Sequence, residues 1–278
     1  MGNMNFKKFA KILLSFVAII YFAYCTYFYY VQRDMLFPIE YVKVPNNIST
    51  KIPESSKLWI DNSFGQTESW YLPPLNLDSN LTYPLIIVAH GNGDVIDKWV
   101  NTTSFLRENG IAILLVEYPG YGRSAGRPNQ KDITEVLIKS YDEILNKPEI
   151  DKNKITFLGQ SVGGGAICSL AKKRKSASMI LISTFTNVNI FASQYYLPKF
   201  LVKDEFDNLS VVSNYEKPLL LVHGENDSLI PISEAKKLKS AARKGELIVL
   251  EGGHNTIKKW RPFWEDIVFP FLSKNNLL

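Results

Sequence analysis

The stretch Ile155-Thr-Phe-Leu-Gly159-Gln-Ser161-Val-Gly163 decides the fold, because an apolar, strand-like segment runs directly into a Gly-x-Ser-x-Gly turn. An apolar helical stretch follows. A serine at this point stands on a strained strand-to-helix turn that projects its hydroxyl from the carboxyl edge of a sheet. The N-terminus of the following helix favours negative charge that develops there. We therefore predict that Ser161 is a nucleophile.

Apolar, β-rich runs recur on both sides of this turn. The predicted strands are Lys57–Ile60, Thr67–Leu72, Leu85–Ala89, Ile111–Val116, Ile155–Leu158, Met179–Ser183, Leu219–Val222 and Glu246–Leu250. The predicted helices between them are Val95–Glu108, Asp132–Asn146, Val162–Lys175, Ser233–Arg243 and Ile257–Leu272. From Leu85 onward the strands are continuously apolar, as in parallel sheets covered by helices on both faces. The pattern predicts an α/β protein with a mostly parallel eight-stranded sheet that opens with an antiparallel hairpin.

A nucleophilic serine needs a base, and the chain contains three histidines. His254 follows the last predicted strand, in a loop that can reach the carboxyl edge of the sheet, so we predict that it is the base. His90 and His223 each close a strand before a glycine, where a histidine is more often structural. Both stay open as alternatives.

The base in turn needs a carboxylate that orients it. Asp227 follows the strand Leu219–Val222 closely and is the predicted acid, with Glu225 as the competitor. The chain order nucleophile, acid, base is the order found in α/β-hydrolases.

Donors for an oxyanion are predicted at a second glycine-rich turn. The strand Leu85–Ala89 ends in His-Gly-Asn-Gly, where the missing side chains let the backbone approach a ligand. We predict that the backbone N–H groups of Asn92 and Val162 hold the oxygen of a tetrahedral intermediate. Tyr121, in a later glycine-rich loop, is a weak candidate for lining the substrate pocket, and plain packing is the preferred interpretation.

Residues 184–217 interrupt the alternation of strands and helices and carry many aromatic side chains. A connection of this length is functional or a small subdomain. We interpret it as a short helical lid over the pocket.

The N-terminal segment is predicted to be an anchor. Ile12–Val31 contains no charged residue and, as a helix of about 1.5 Å per residue, spans roughly 30 Å, the thickness of a bilayer core. No small-residue cleavage site follows, which disfavours a signal peptide. We assign residues 1–11 to a cytoplasmic tail, 12–32 to a single transmembrane anchor and 37–278 to the catalytic domain. The lysines before the span place the domain on the non-cytoplasmic side.

Composition excludes several other classes. The net charge is +5, of which residues 1–35 carry +3, so the near-neutral body lacks the basic face of a nucleic-acid-binding protein. Two cysteines do not make a disulfide scaffold. No histidine or cysteine spacing matches a metal site, and the predicted chemistry requires no metal or organic cofactor.

The chain resembles the α/β-hydrolase superfamily, and within it the membrane-anchored, serine-aminopeptidase-like subgroup. The resemblance is carried by these motifs: Gln32-Arg-Asp-Met-Leu-Phe-Pro38, His90-Gly-Asn, the loop Glu117–Pro128, Gly159-Gln-Ser-Val-Gly, His223-Gly-Glu-Asn-Asp and Gly253-His-Asn. It implies Ser161 as nucleophile, Asp227 as acid and His254 as base. Relatives cut esters, thioesters, amides and peptides, so the substrate does not carry over.

The sequence therefore predicts a membrane-anchored serine hydrolase that cleaves carboxylic esters or thioesters of a small-molecule or lipid acyl substrate. Two alternatives remain: a peptidase or amidase with the same triad, and a catalytically silent binding protein of the same fold.

Overall fold

The computed structural model describes residues 6–45, 47–78, 80–255, 257 and 260–278. Residues 1–5 of the predicted tail and residues 258 and 259 of the last predicted helix lie outside this range. Helix α1, Phe6–Leu36, contains no buried residue; it is exposed as far as Tyr24, and several residues from Cys25 onward are half-buried. It is long and apolar enough to cross a membrane, a property that signal sequences share.

The rest of the described chain is built on one eight-stranded sheet. Its strands are β1 Lys57–Asn62, β2 Gly65–Leu72, β3 Tyr83–Ala89, β4 Ala112–Val116, β5 Ile150–Gln160, β6 Ser178–Ile182, β7 Leu219–Gly224 and β8 Gly245–Leu250. They lie in the order β1-β2-β4-β3-β5-β6-β7-β8. β1 and β2 form the predicted antiparallel hairpin, β2 pairs antiparallel with β4, and the remaining neighbours pair in parallel. The predicted fold class is confirmed.

Helices cover both faces of the sheet. They are α2 Ile96–Thr102, α3 Ser104–Glu108, α4 Gln130–Ile144, α5 Val162–Ala171, α6 Asn189–Gln194, α7 Asn208–Asn214, α8 Ile232–Ala241, α9 Trp260–Phe263 and α10 Phe269–Lys274, with one π-helical turn at Trp264–Val268. One long helix was expected over Val95–Glu108, but the chain breaks at Thr103. There the Thr103 hydroxyl donates to the carbonyl of Trp99 at 2.8 Å. Such a bond from a side chain to the preceding turn competes with the continuing helix.

The core has two layers, one on each face of the sheet. Leu85, Ile87 and Ala89 of β3 pack into the layer that contains α4 and α5. The alternate residues Ile86 and Val88 pack into the layer that contains α2, α3 and α10. Both faces of the central strands are thus buried, which explains why their sequence is continuously apolar rather than alternating.

The predicted insert, residues 184–217, contains α6, a 3₁₀ turn at Lys199–Leu201 and α7. Its aromatic side chains divide into two groups. Phe185 and Phe206 are buried in the core layer of α5. Tyr196 and Phe200 are 85% and 84% exposed. The insert is therefore fastened to the domain by one set of rings and presents the other set outward.

Candidate active site

Ser161 lies at the turn between β5 and α5, at the carboxyl edge of the sheet. Its backbone has φ 55° and ψ −121°, a conformation that costs free energy for a residue with a side chain. Bonds to the end of β6 hold it there: Ser161 N donates to Ile182 O at 2.8 Å, and Thr184 Oγ1 donates to Ser161 O at 2.7 Å. The strained turn is thus fixed by the neighbouring strand.

Two glycines make this turn sterically possible. A Cβ at Gly159 would lie 2.3 Å from the carbonyl oxygen of Gly163. A Cβ at Gly163 would lie 2.1 Å from the carbonyl oxygen of Ala89. Since both obstacles are backbone atoms, no side-chain rearrangement could relieve them, and the Gly-x-Ser-x-Gly spacing follows from close packing.

The structure brings the three predicted triad residues together. His254 Nε2 lies 3.0 Å from Ser161 Oγ, and His254 Nδ1 lies 2.8 Å from Asp227 Oδ2. A carboxylate accepts only, so Nδ1 carries the proton and Nε2 of the neutral ring can accept from the serine hydroxyl. The His254 side chain is 18% exposed, so a ligand can reach its ring.

Asp227 is buried and held by several donors. Its Oδ1 accepts from the backbone N–H groups of Leu229 and Ile230, each at 2.9 Å. His223 Nε2 lies 2.8 Å from Ile230 O and 3.3 Å from Asp227 Oδ2. His223, the alternative candidate for the base, is therefore a second histidine beside Asp227. The competing acid, Glu225, is exposed on the same turn.

His90, the other alternative for the base, is buried and committed elsewhere. Its Nε2 lies 2.6 Å from Glu117 Oε1, and its Nδ1 lies 2.8 Å from the carbonyl oxygen of Gly91. Burial alone would lower the pKa of His90, but the Glu117 carboxylate, together with Asp94 and the Gly91 carbonyl, raises the pKa above its ordinary value. Both ring nitrogens thus have partners that stabilise the turn after β3.

That turn lies against the serine. A Cβ placed on Gly91 would be 3.7 Å from the Cβ of Ser161. Asn92 and Val162 line one cavity together with Ser161. Within the described part of the chain, neither the Asn92 N–H nor the Val162 N–H has a protein acceptor. Both predicted oxyanion donors are therefore available for a ligand.

Tyr121 lies under this turn and is not among the described residues that line the cavity. The side chain is buried, and its hydroxyl donates to the carbonyl oxygen of Asn92 at 2.8 Å. Burial, and then the Glu117 carboxylate, raises the pKa of Tyr121, so the hydroxyl stays protonated and keeps donating. These are the contacts of a packing residue, which is the interpretation preferred from sequence.

The cavity above Ser161 has a volume of about 210 Å³. The insert and the last turns of α1 form much of its wall. Within the described residues, no group of three or more His, Cys, Asp or Glu residues is arranged to hold a metal ion.

This architecture, with a serine on the turn after the central strand β5, is the α/β-hydrolase fold. Residues 83–203 match the family model described as "Serine aminopeptidase, S33". The match covers β3 to the first part of the insert and includes the turns of Asn92 and Ser161.

Relatives and solved structures agree with this fold. An uncharacterized protein of Mycobacterium tuberculosis is 24% identical over 249 residues, which cover 87% of either chain. The Pyrococcus furiosus esterase Pf2001 has a TM-score of 0.64 at 18% identity, over 84% of this chain and 94% of that one. Est1E from Butyrivibrio proteoclasticus, with ferulic acid bound, has a TM-score of 0.64 at 17% identity, and the match covers 80% of this chain and 100% of Est1E. The acylaminoacyl peptidase of Pyrococcus horikoshii has a TM-score of 0.64 at 14% identity, and the match covers 79% of this chain but only 41% of the peptidase.

Proposed function

We propose that the protein is a membrane-anchored serine hydrolase that cleaves carboxylic ester or thioester bonds through an acyl-enzyme. The observation that carries this proposal is the continuous chain of contacts from Ser161 Oγ through the His254 ring to Asp227. A nucleophile within hydrogen-bond reach of a base, itself oriented by a third group, is the arrangement required for acyl transfer.

The proposed reaction has two halves. His254 Nε2 takes the proton of Ser161 as Oγ attacks the carbonyl carbon, and Asp227 stabilises the imidazolium that forms. The tetrahedral oxyanion accepts from the N–H groups of Asn92 and Val162, and each such donor contributes about 3–4 kcal/mol. Collapse expels the alcohol or thiol, which His254 protonates. A water molecule, activated by His254, then attacks the acyl-enzyme and releases the acid.

The cavity favours an uncharged acyl group over a peptide with a free amine. Among the described residues that line it, Asp204 alone carries a charge. That carboxylate is already paired with Arg33, with Nε 2.7 Å from Oδ2, and Oδ1 also accepts from the backbone N–H of Gln130 at 2.9 Å. An aminopeptidase needs a carboxylate free to bind the substrate's ammonium group, so we place this alternative second.

Solved structures of the same fold hold ligands of the proposed kind. Ferulic acid is bound to Est1E, and propionate is bound to Est2 of Thermogutta terrifontis. We propose that the present protein likewise binds a carboxylic acyl group beside the serine.

A substrate panel tests the reaction class. We expect the full chain in detergent micelles to hydrolyse umbelliferyl esters of graded acyl length, and to turn over aminoacyl amides with a free amine far more slowly. The readout is kcat/KM for each compound, with S161A as the control for background hydrolysis. Faster turnover of the aminoacyl amides would show that the peptidase alternative is correct. If neither kind of substrate is hydrolysed and a fluorophosphonate does not label the protein, the silent binding protein is favoured.

The membrane assignment rests on α1, and it has its own test. We propose that residues 12–32 span a bilayer with the domain on the non-cytoplasmic side. The full chain should stay with membranes through carbonate and high-salt washes, because neither disrupts the burial of about twenty apolar residues. Protease added to intact spheroplasts should digest the domain. Release by carbonate would contradict the anchor, and protection in spheroplasts with digestion in inverted vesicles would reverse the orientation.

A further inference from the structure

The last third of α1 forms one wall of the cavity over Ser161. The residues of α1 that line this cavity are Cys25, Phe28, Tyr29, Gln32, Met35 and Leu36. Their spacing of three, four and seven residues places them on one face of the helix. The same helix that we assign to the bilayer therefore borders the serine's cavity directly.

Polar contacts fix this face of α1 to the insert. The Gln32 side-chain amide makes two bonds to the backbone of the insert: Nε2 donates to Leu201 O at 3.0 Å, and Oε1 accepts from Lys203 N at 2.8 Å. One residue later, the Arg33 guanidinium forms its two bonds to the buried Asp204 carboxylate. Paired, two-point contacts of this kind fix orientation as well as distance.

The helix also reaches the predicted oxyanion turn. The side-chain amide of Asn92 donates to the carbonyl oxygen of Leu36 at 3.2 Å. Leu36 ends α1, where carbonyl groups lack partners within the helix. Further toward the N-terminus, Phe28 packs on Tyr195 with ring centroids 5.2 Å apart, and the Tyr24 hydroxyl donates to Tyr195 O at 2.8 Å. The Tyr21 hydroxyl also donates to Tyr196 O at 2.9 Å, so contacts between α1 and the domain run along about 22 Å of helix.

The space between α1 and the insert is suited to hydrocarbon. Its lining is mostly apolar, and its one charged group among the described residues is neutralised by Arg33. The exposed rings of Tyr196 and Phe200 project from the insert beside the helix. An aromatic surface next to a transmembrane helix is typical of the membrane–water interface.

We propose that this space holds the hydrocarbon chain of a membrane-resident lipid ester, with its carbonyl carbon at Ser161, so that α1 is both the anchor and the acyl-chain wall of the enzyme. The inference rests on the proposed hydrolase function and specifies its substrate class. The hydrocarbon chain of the lipid enters from the bilayer beside α1, and the polar part of the lipid faces the water-exposed side of the site at His254.

Two bulky substitutions on adjacent faces of α1 test the proposal. C25W places an indole in the cavity, whereas T26W places it at the same depth on the exposed side. We expect C25W to lower kcat/KM for a decanoyl umbelliferyl ester about 10- to 100-fold, since hydrophobic pockets discriminate by such factors per methylene. The acetyl ester should change less than threefold. T26W should resemble the unmodified protein on both esters.

A chemical readout covers the case in which C25W does not fold. Cys25 and Cys168 are the cysteines of the chain, and Cys168 is buried, with its pKa raised by that burial, so maleimide reacts at Cys25. Dodecyl fluorophosphonate on Ser161 should slow this reaction at least fivefold, whereas ethyl fluorophosphonate should not. In the control variant C25S/T26C neither reagent should change the rate.

The outcomes separate the two proposals. Failure of both fluorophosphonates to label Ser161 would contradict the hydrolase function itself. Normal labelling with no protection of Cys25, or equal losses of C25W and T26W on the decanoyl ester, would overturn the acyl-chain wall while leaving the hydrolase function intact.

Discussion

Replacement of Ser161 by alanine is expected to lower ester turnover by roughly 10⁵–10⁶-fold, as in serine hydrolases in which the nucleophile has been removed. The change deletes one oxygen and leaves the backbone bonds of the turn, Ser161 N to Ile182 O among them, in place. The fold should therefore survive. The measurements are kcat on the best ester of the panel, thermal unfolding, and labelling by a fluorophosphonate.

A neighbouring serine provides the control. Ser169 lies on α5, eight residues beyond the nucleophile, and accepts a hydrogen bond from Gln130. S169A should keep its activity and its fluorophosphonate label. Residual activity of S161A within tenfold of the unmodified protein would show that another group is the nucleophile.

Replacement of His254 by alanine should lower kcat nearly as much as S161A does. In H254A no other described side chain within hydrogen-bond distance of Ser161 Oγ can take its proton, so we expect a similar fall in kcat. D227N should lose about 10⁴-fold, because an amide in place of the carboxylate favours the wrong tautomer of the imidazole. The double variant S161A/H254A should fall little below either single variant, since the three residues act as a unit.

Two matched variants make this prediction specific. E225Q changes the exposed acid on the same turn and should leave kcat within about twofold. H223Q alters the second histidine beside Asp227 and should cost less than D227N, because the backbone N–H groups of Leu229 and Ile230 still hold the carboxylate. A large loss of kcat in E225Q together with a small loss in D227N would mean that the acid is Glu225.

The sheet could be predicted from sequence because strands that are buried on both faces are continuously apolar. β3, β6 and β7 are apolar on both faces, and the Gly-x-Ser-x-Gly turn marks the end of β5. That Ser161, Asp227 and His254 lie close together could also be predicted, since the carboxyl ends of parallel strands meet at one edge of the sheet.

Other parts of the site left no such signal. Tyr121 and His223 are each fixed by a single hydrogen bond, to Asn92 O and to Ile230 O, and no periodicity of the sequence reveals such bonds. The pairing of Arg33 with Asp204 joins residues 171 positions apart. Gln32 and Arg33 were singled out by resemblance alone, and a reading of α1 as a plain anchor predicts that a chain beginning near Met35 keeps a complete site. The structure shows that such a chain would lack one cavity wall.

The junction between α1 and the domain leaves no slack. The helix ends at Leu36, and the next residue, Phe37, is already buried and packs on Phe206. A flexible tether of n residues would let a domain explore a radius of about 5–6 Å × √n, whereas here n is zero. With α1 in a bilayer, the tilt of the helix sets the orientation of the domain, and its working distance is confined to the layer of lipid headgroups. Substrates on proteins that extend well beyond the membrane surface would be out of its reach.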